Sequence, residues 1–294
     1  GDDPSAAILD SFHMFDFIGG RYSVSSAVGG LPLSLAFGFD VFDDFLAGCH
    51  LMDRHVQETQ PQKNIPLTAA LVSIWNTFCL EYAGMGVIPY SSGLSKLAPH
   101  VQQLYMESLG KMVTKQGQFL KQPGGCIIFG EPGTNAQHSF FQLAHQGPSF
   151  PIEFIGVVNP GFQGKIAMSK GVSNHQELWA NMVAQTTALA VGKEDSLPER
   201  HFPGNRPSSV ILVNDLSARS MGVLLAFYEA RTVLEGFVLG INPFDQFGVE
   251  LGKILASSIR DEIRSKNSDP SHEFAHLGRA QAFYLNTLFR GRIN

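Results

Sequence analysis

Apolar positions along this chain follow two periods in alternation. Residues 65–82 are almost continuously apolar with Pro66 near the start, a good first-turn residue, and predict a buried helix. Residues 84–91 (GMGVIPYS) form a short apolar run closed by turn residues, which predicts a strand. In 94–112, Leu94, Leu97, Val101 and Leu104 fall on one helical stripe. The same alternation continues with strands predicted at 126–130, 150–159 and 208–215. Helices are predicted at 135–146, 174–191, about 217–233 and 243–265. Strand and helix in repetition predict an α/β fold, a sheet with helices packed on its faces. Ligands on such sheets bind in crevices at the carboxyl ends of the strands. The first 55 or so residues look more helical and are read as a separate subdomain. Residues 266–271 (KNSDPS) form the clearest linker, setting off 266–294 as a tail.

Composition narrows the class. The 294 residues are 44% hydrophobic and 16% charged, enough apolar material for one or two cores, which argues against disorder. The net charge is −5 and no long basic run occurs, so nucleic acid and anionic membrane are poor partners, whereas a small anion held by a few local cations is not excluded. Cys49, Cys79 and Cys126 stand far apart in apolar stretches, without the spacing of a disulfide framework or a cysteine zinc site. No run of about 18 apolar residues and no leader pattern is seen, which predicts a cytoplasmic protein. The chain opens with Gly1-Asp2-Asp3-Pro4 and enters apolar sequence almost at once, as a segment cut from a longer protein would.

Several short segments carry candidate chemistry, each with a plain structural reading beside it. HEFAH (272–276) matches the HExxH zinc pattern, but no Asp, Glu, His or Cys follows His276 to supply a third ligand; a polar helix start capped by Ser271 is preferred. GGRYS (19–23) joins glycines that allow close backbone approach to a forked cationic donor, Arg21, which could serve a ligand or a buried ion pair. GEPGTNAQHSF (130–140) follows a strand and carries Glu131 and His138, in either a site loop or a turn with a helix cap. Gln103, Glu107 and Lys111 share a helical face, where an exposed Glu–Lys pair is the plain reading. Gln246, Glu250 and Lys253 lie along one stripe of the last predicted helix, opposite Leu251, Ile254, Leu255 and Ile259; a solvated lysine is the plain reading there too.

Taken together, these segments resemble one family. DFIGGRYSVSSAVG (16–29) and GFVLGINPFDQFGVELGK (236–253) resemble the two signatures of glucose-6-phosphate isomerases. GEPGTNAQHSFFQLAHQG (130–147), AQTTALAVGK (184–193) and FPGNRPSSVIL (202–212) resemble further family segments in the family's order. The resemblance runs from about residue 14 to residue 265. It implies a three-layer sugar isomerase (SIS) domain at 56–265, preceded at 1–55 by the helical end of a first such domain and followed by the tail at 266–294. It implies an aldose–ketose isomerase of glycolysis and gluconeogenesis that interconverts glucose 6-phosphate and fructose 6-phosphate, needs no cofactor or metal, and works as a homodimer. By the same resemblance Glu107 is the base, Arg21 the cation beside the enediolate, and His138 and Lys253 the ring-opening groups, the histidine lent across the dimer. Gln103 and Gln246 would contact substrate, and Glu131 would orient His138.

The chemistry suits these types. Moving a proton between C1 and C2 takes one carboxylate that reaches both carbons, and a free Glu, with a pKa of about 4.3, needs a partly desolvated setting to act as a base. The enediolate carries negative charge that a fixed arginine stabilises best where water is excluded. Ring opening needs a group able to give and take a proton, which His does near its ordinary pKa of about 6.5. Three departures stand out: Leu109 where many relatives have Asn, Phe247 where Trp is common, and no segment resembling the family's glycine-rich and Ser/Lys/Thr phosphate loops. That last absence predicts weak or no activity for these residues alone. The competing readings are a sugar-phosphate-binding module without catalysis and a zinc hydrolase using His272 and His276.

Overall fold

The computed structural model describes residues 10–293 apart from 123, 162–167 and 170. Its centre is a four-stranded parallel sheet made of β1 (Gly84–Pro89), β2 (Ile127–Phe129), β3 (Ile152–Val157) and a strand at Ser208–Val213. A two-stranded antiparallel hairpin, β4 (Met168–Ser169) and β5 (Val172–Ser173), lies between β3 and that last strand, which is therefore β6. The sheet order is β2-β1-β3-β6, with Gly86 of β1 opposite Ile152 and Ile152 opposite Ser208. Every residue of β3 is buried, as is all of β1 after Gly84. Alternation along these strands sends Val87 and Ile155 into one core and Ile88 and Phe154 into a second. Two cores on two faces give the three-layer α/β architecture that the apolar pattern implied. β6 is different: most of its residues are exposed.

The helices fall where the periodicity put them, with three instructive differences. The amino-terminal part forms α1 (Ala27–Phe37), capped by the Ser26 hydroxyl, and α2 (Phe39–Glu58). Then come α3 (Ile65–Ile74), capped by Asn64, and α4 (Leu97–Leu109). The single helix expected over 65–82 instead widens into a π-turn at Trp75–Cys79 and stops at Leu80, where Glu81 takes a left-handed backbone conformation at φ 56°. The helix expected over 135–146 is two short ones, α5 (Gly133–Gln137) and α6 (Phe141–Gln146). The break follows the aromatics: Phe140 packs edge-on against Phe129 of β2 while Phe141 faces Phe154 of β3. α7 (Asn174–Val191) opens with a complete capping box between Ser173 and Gln176.

α8 (Ala218–Val238) crosses α2 at close range. A Cβ at Gly48 or Gly222 would sit 2.0 Å from a backbone oxygen of the facing helix, so only glycine fits at either point. This contact ties α2 into the first of two compact units, which ends at Asp245.

The second unit, from Gln246 on, holds α9 (Phe247–Ser268) and α10 (Arg279–Arg290). Residues 272–276 between them are loop and not the helix start that the sequence suggested. The Ser271 hydroxyl, which a cap would aim at the backbone, donates instead to Asp269 Oδ1 at 2.6 Å. His272 Nε2 pairs with Glu262 at 2.7 Å, and among the described residues no group of three potential metal ligands occurs. No helix among the described residues is long and apolar enough to cross a membrane.

Candidate active site

The site begins with a single turn. Gly20–Tyr22 form one 3₁₀ turn after the extended Gly19, and this turn drives the Arg21 side chain inward until 1% of it is exposed. A buried guanidinium needs oxygen partners, and it finds them on two segments far from it in sequence, 107–108 and 243–245. Nε donates to Ser108 Oγ at 2.7 Å, and Nη2 donates to the carbonyls of Pro243 (2.7 Å) and Asp245 (2.9 Å). Nη1 meets Glu107 Oε2 at 3.3 Å. Tyr22 braces the arrangement, with its hydroxyl 2.9 Å from Ser108 Oγ and its ring 5.4 Å from that of Phe244. Burial pushes the Tyr22 phenol above its ordinary pKa, against opposing pulls from Ser108 and Arg21, so it stays a neutral hydroxyl near pH 7.

Glu107 stands on the last turn of α4. Its neighbours on the buried side of that helix, Leu104, Tyr105, Ser108 and Leu109, fix the helix against the core, which turns Glu107 to the rim with 28% of its side chain exposed. Oε2 takes the arginine, and Oε1 has the Gln103 amide at 3.5 Å, the outer limit of a hydrogen bond. The exposed Glu107–Lys111 pair suggested by the i, i+4 spacing is absent. Lys111 turns instead to Asp245, its Nζ 2.7 Å from Oδ1, and reaches Glu107 only at the main-chain carbonyl, 2.9 Å away.

Arg21 and Glu107 are therefore in contact, and Gln103 is beside them. Two further candidates follow β2. Glu131 directly follows the turn after β2 and is half-buried; His138 is exposed at the end of α5. Among the described residues these two make no hydrogen bond with each other, so the orienting contact expected between them is not formed. Gln246 caps the start of α9 and its carbonyl accepts from Val249 N; Lys253 is exposed about two turns further along. Both belong to the second unit. Sequence reasoning overlooked Ser108, Tyr22, Pro243 and Asp245 as partners of Arg21. Three lie directly beside residues that were singled out, but the main-chain carbonyls of Pro243 and Asp245 carry no side-chain signal.

Chemically, the pair is a carboxylate gripped on one oxygen by a cation that cannot turn away. The other oxygen has one weak partner and access to the surface. Such a group can take up and return a proton, and the adjacent fixed charge can stabilise an oxyanion formed next to it.

Comparison with known proteins supplies the context. Residues 7–278 match the family model described as phosphoglucose isomerase. The chain is 62% identical over 288 residues to the glucose-6-phosphate isomerase of Desulfosudis oleivorans, covering 98% of this chain and 53% of that protein. It is 48% identical over 279 residues to the cytosolic glucose-6-phosphate isomerase of Arabidopsis thaliana, covering 91% of this chain and 49% of that one. A crystal structure of a glucose-6-phosphate isomerase from Chlamydia trachomatis superposes with a TM-score of 0.86 at 41% identity, over 99% of this chain and 54% of that one. The chain thus spans about half the length of these relatives.

Proposed function

Because the chain belongs to the phosphoglucose isomerase family, we propose that it carries the proton-transferring half of an enzyme that interconverts glucose 6-phosphate and fructose 6-phosphate. One observation supports this above the rest: a buried Arg21 held by Ser108, Pro243 and Asp245 against a partly exposed Glu107. A module that only bound sugar phosphate has no need of a carboxylate in that setting.

In this reading Glu107 removes the proton alpha to the carbonyl of the open-chain sugar and returns it to the neighbouring carbon. Its weakly held Oε1 is the oxygen that does so, because Oε2 is engaged by the guanidinium. Arg21 stabilises the enediolate oxygens, and it enters the reaction already desolvated and oriented, so little reorganisation is needed as charge develops. Ring opening precedes this step; His138 and Lys253 are the groups proposed for it, with Gln103, Gln246 and Glu131 contacting the sugar. The exposure of His138 is compatible with its serving the site of a second copy in a homodimer. The plant relatives named cytosolic favour a cytoplasmic setting.

The test is a coupled assay on the full-length protein that carries these residues. Fructose 6-phosphate should be consumed, and hydrogen at C2 should exchange with solvent during turnover. A purified full-length protein with neither property would refute the reading.

A further inference from the structure

The contact between Lys111 and Asp245 lies outside every role assigned above. Lys111 Nζ has three protons to donate and three protein oxygens within reach: Glu107 O at 2.9 Å, Asp245 O at 2.6 Å and Asp245 Oδ1 at 2.7 Å. With its donors spent on the protein, Lys111 is not placed to receive an anionic ligand. Its position does something else. The Glu107 carbonyl is in the last turn of α4, where main-chain oxygens lack helical partners and a cation is favoured. From that anchor Lys111 grips Asp245 through a main-chain and a side-chain oxygen together. Two attachments on one residue fix the rotation of its carbonyl, which one attachment does not.

That carbonyl is the one that accepts from Arg21 Nη2 at 2.9 Å. Two cations therefore share a single oxygen, and one of them faces the carboxylate of Glu107. The Asn242 side chain accepts from Phe244 N at 3.1 Å and closes the turn that precedes Asp245, but it leaves the orientation of the Asp245 carbonyl to Lys111.

We propose that Lys111 is a positioning residue for proton transfer: by chelating Asp245 it fixes the carbonyl that aims Arg21 at Glu107. The inference rests on the isomerase reading, and its test separates the two. In the full-length protein, Lys111→Met and Asp245→Asn are each expected to lower kcat by about tenfold or more while KM stays within about twofold, since small misplacements of a reacting group act on rate. The double variant should be no worse than the worse single one, because both remove the same link. Crystal structures of the variants should show Arg21 Nη2 withdrawn from the Asp245 carbonyl. Unchanged kcat in both variants, additive losses, or an Arg21 that keeps its contacts would each overturn the proposal. If Lys111→Met does not fold, Asp245→Asn decides, because it keeps the lysine and the carbonyl. If the parent protein shows no isomerisation at all, the isomerase reading fails, and the Asp245→Asn crystal structure still decides whether the link orients Arg21.

Discussion

Two arginine–glutamate pairs in this chain are built for opposite ends. Arg231 and Glu153 lie beneath the sheet with side chains 4% and 6% exposed, 2.8 Å apart, and Tyr228 donates to the remaining Glu153 oxygen at 2.6 Å. Both oxygens of that carboxylate are taken, so nothing from outside can use it. Arg21 and Glu107 are looser at 3.3 Å, and only the arginine is sealed. Its charge is fixed by Ser108, Pro243 and Asp245, which leaves Glu107 held by one corner. A buried ion pair whose carboxylate is engaged at both oxygens holds a fold in register; one whose carboxylate keeps an accessible corner leaves that oxygen open to a ligand. The same two residue types yield a closed brace or an accessible carboxylate according to which partner is left under-occupied.

The contrast can be broken from either side. Glu107→Gln in the full-length protein should reduce turnover by roughly 10²–10⁴-fold, the usual worth of a positioned base, with little loss of stability because Arg21 keeps its other oxygens. Unaltered turnover removes Glu107 from the base role. Arg231→Met should do the reverse. It leaves Glu153 buried without its cation and costs about 3–5 kcal/mol, read as a lower urea midpoint at unchanged m-value. A midpoint equal to the parent's would show that the brace is dispensable.

A third carboxylate, Glu229 on α8, sharpens the comparison because one of its oxygens is buried without a hydrogen-bond partner. Burial, with a smaller push from Asp53, raises its pKa to about 7. The unfolded group titrates near 4.3, so the folded state binds the extra proton between those values. Stability should therefore fall as pH rises from about 4.5 to about 7 and level off above, and Glu229→Gln should flatten that slope. Urea midpoints that do not vary with the substitution across pH 5–8 would refute this. The smallest effect belongs to the exposed Arg54–Glu58 pair on α2: Arg54→Ala should leave the midpoint unmoved within error.

Much of this fold was legible because β1 and β3 are buried on both faces and read as unbroken apolar runs between turn residues. The misjudged places share a cause. The π-turn at Trp75–Cys79, the break at His138–Phe140 and the loop at 272–276 are decided by contacts with other elements, and local periodicity does not carry those. The site was legible in parts. Spacing put Glu107 beside Lys111, four residues away, whereas its ionic partner is 86 residues distant. Family resemblance supplied the candidate roles, and it said nothing of the carbonyls of Pro243 and Asp245, which carry no side-chain signal.

The outer strand of the sheet has a practical corollary. β6 (SSVILV) contains no charge and no proline, Val210 and Leu212 are 46% and 57% exposed, and among the described residues no strand pairs along its far side. A bare, apolar margin of this kind offers unpaired amide and carbonyl groups to any extended peptide that meets it. Preparations of these 294 residues by themselves should clump in proportion to concentration, and a lysine at position 210 or 212 is the simplest means of keeping them dispersed.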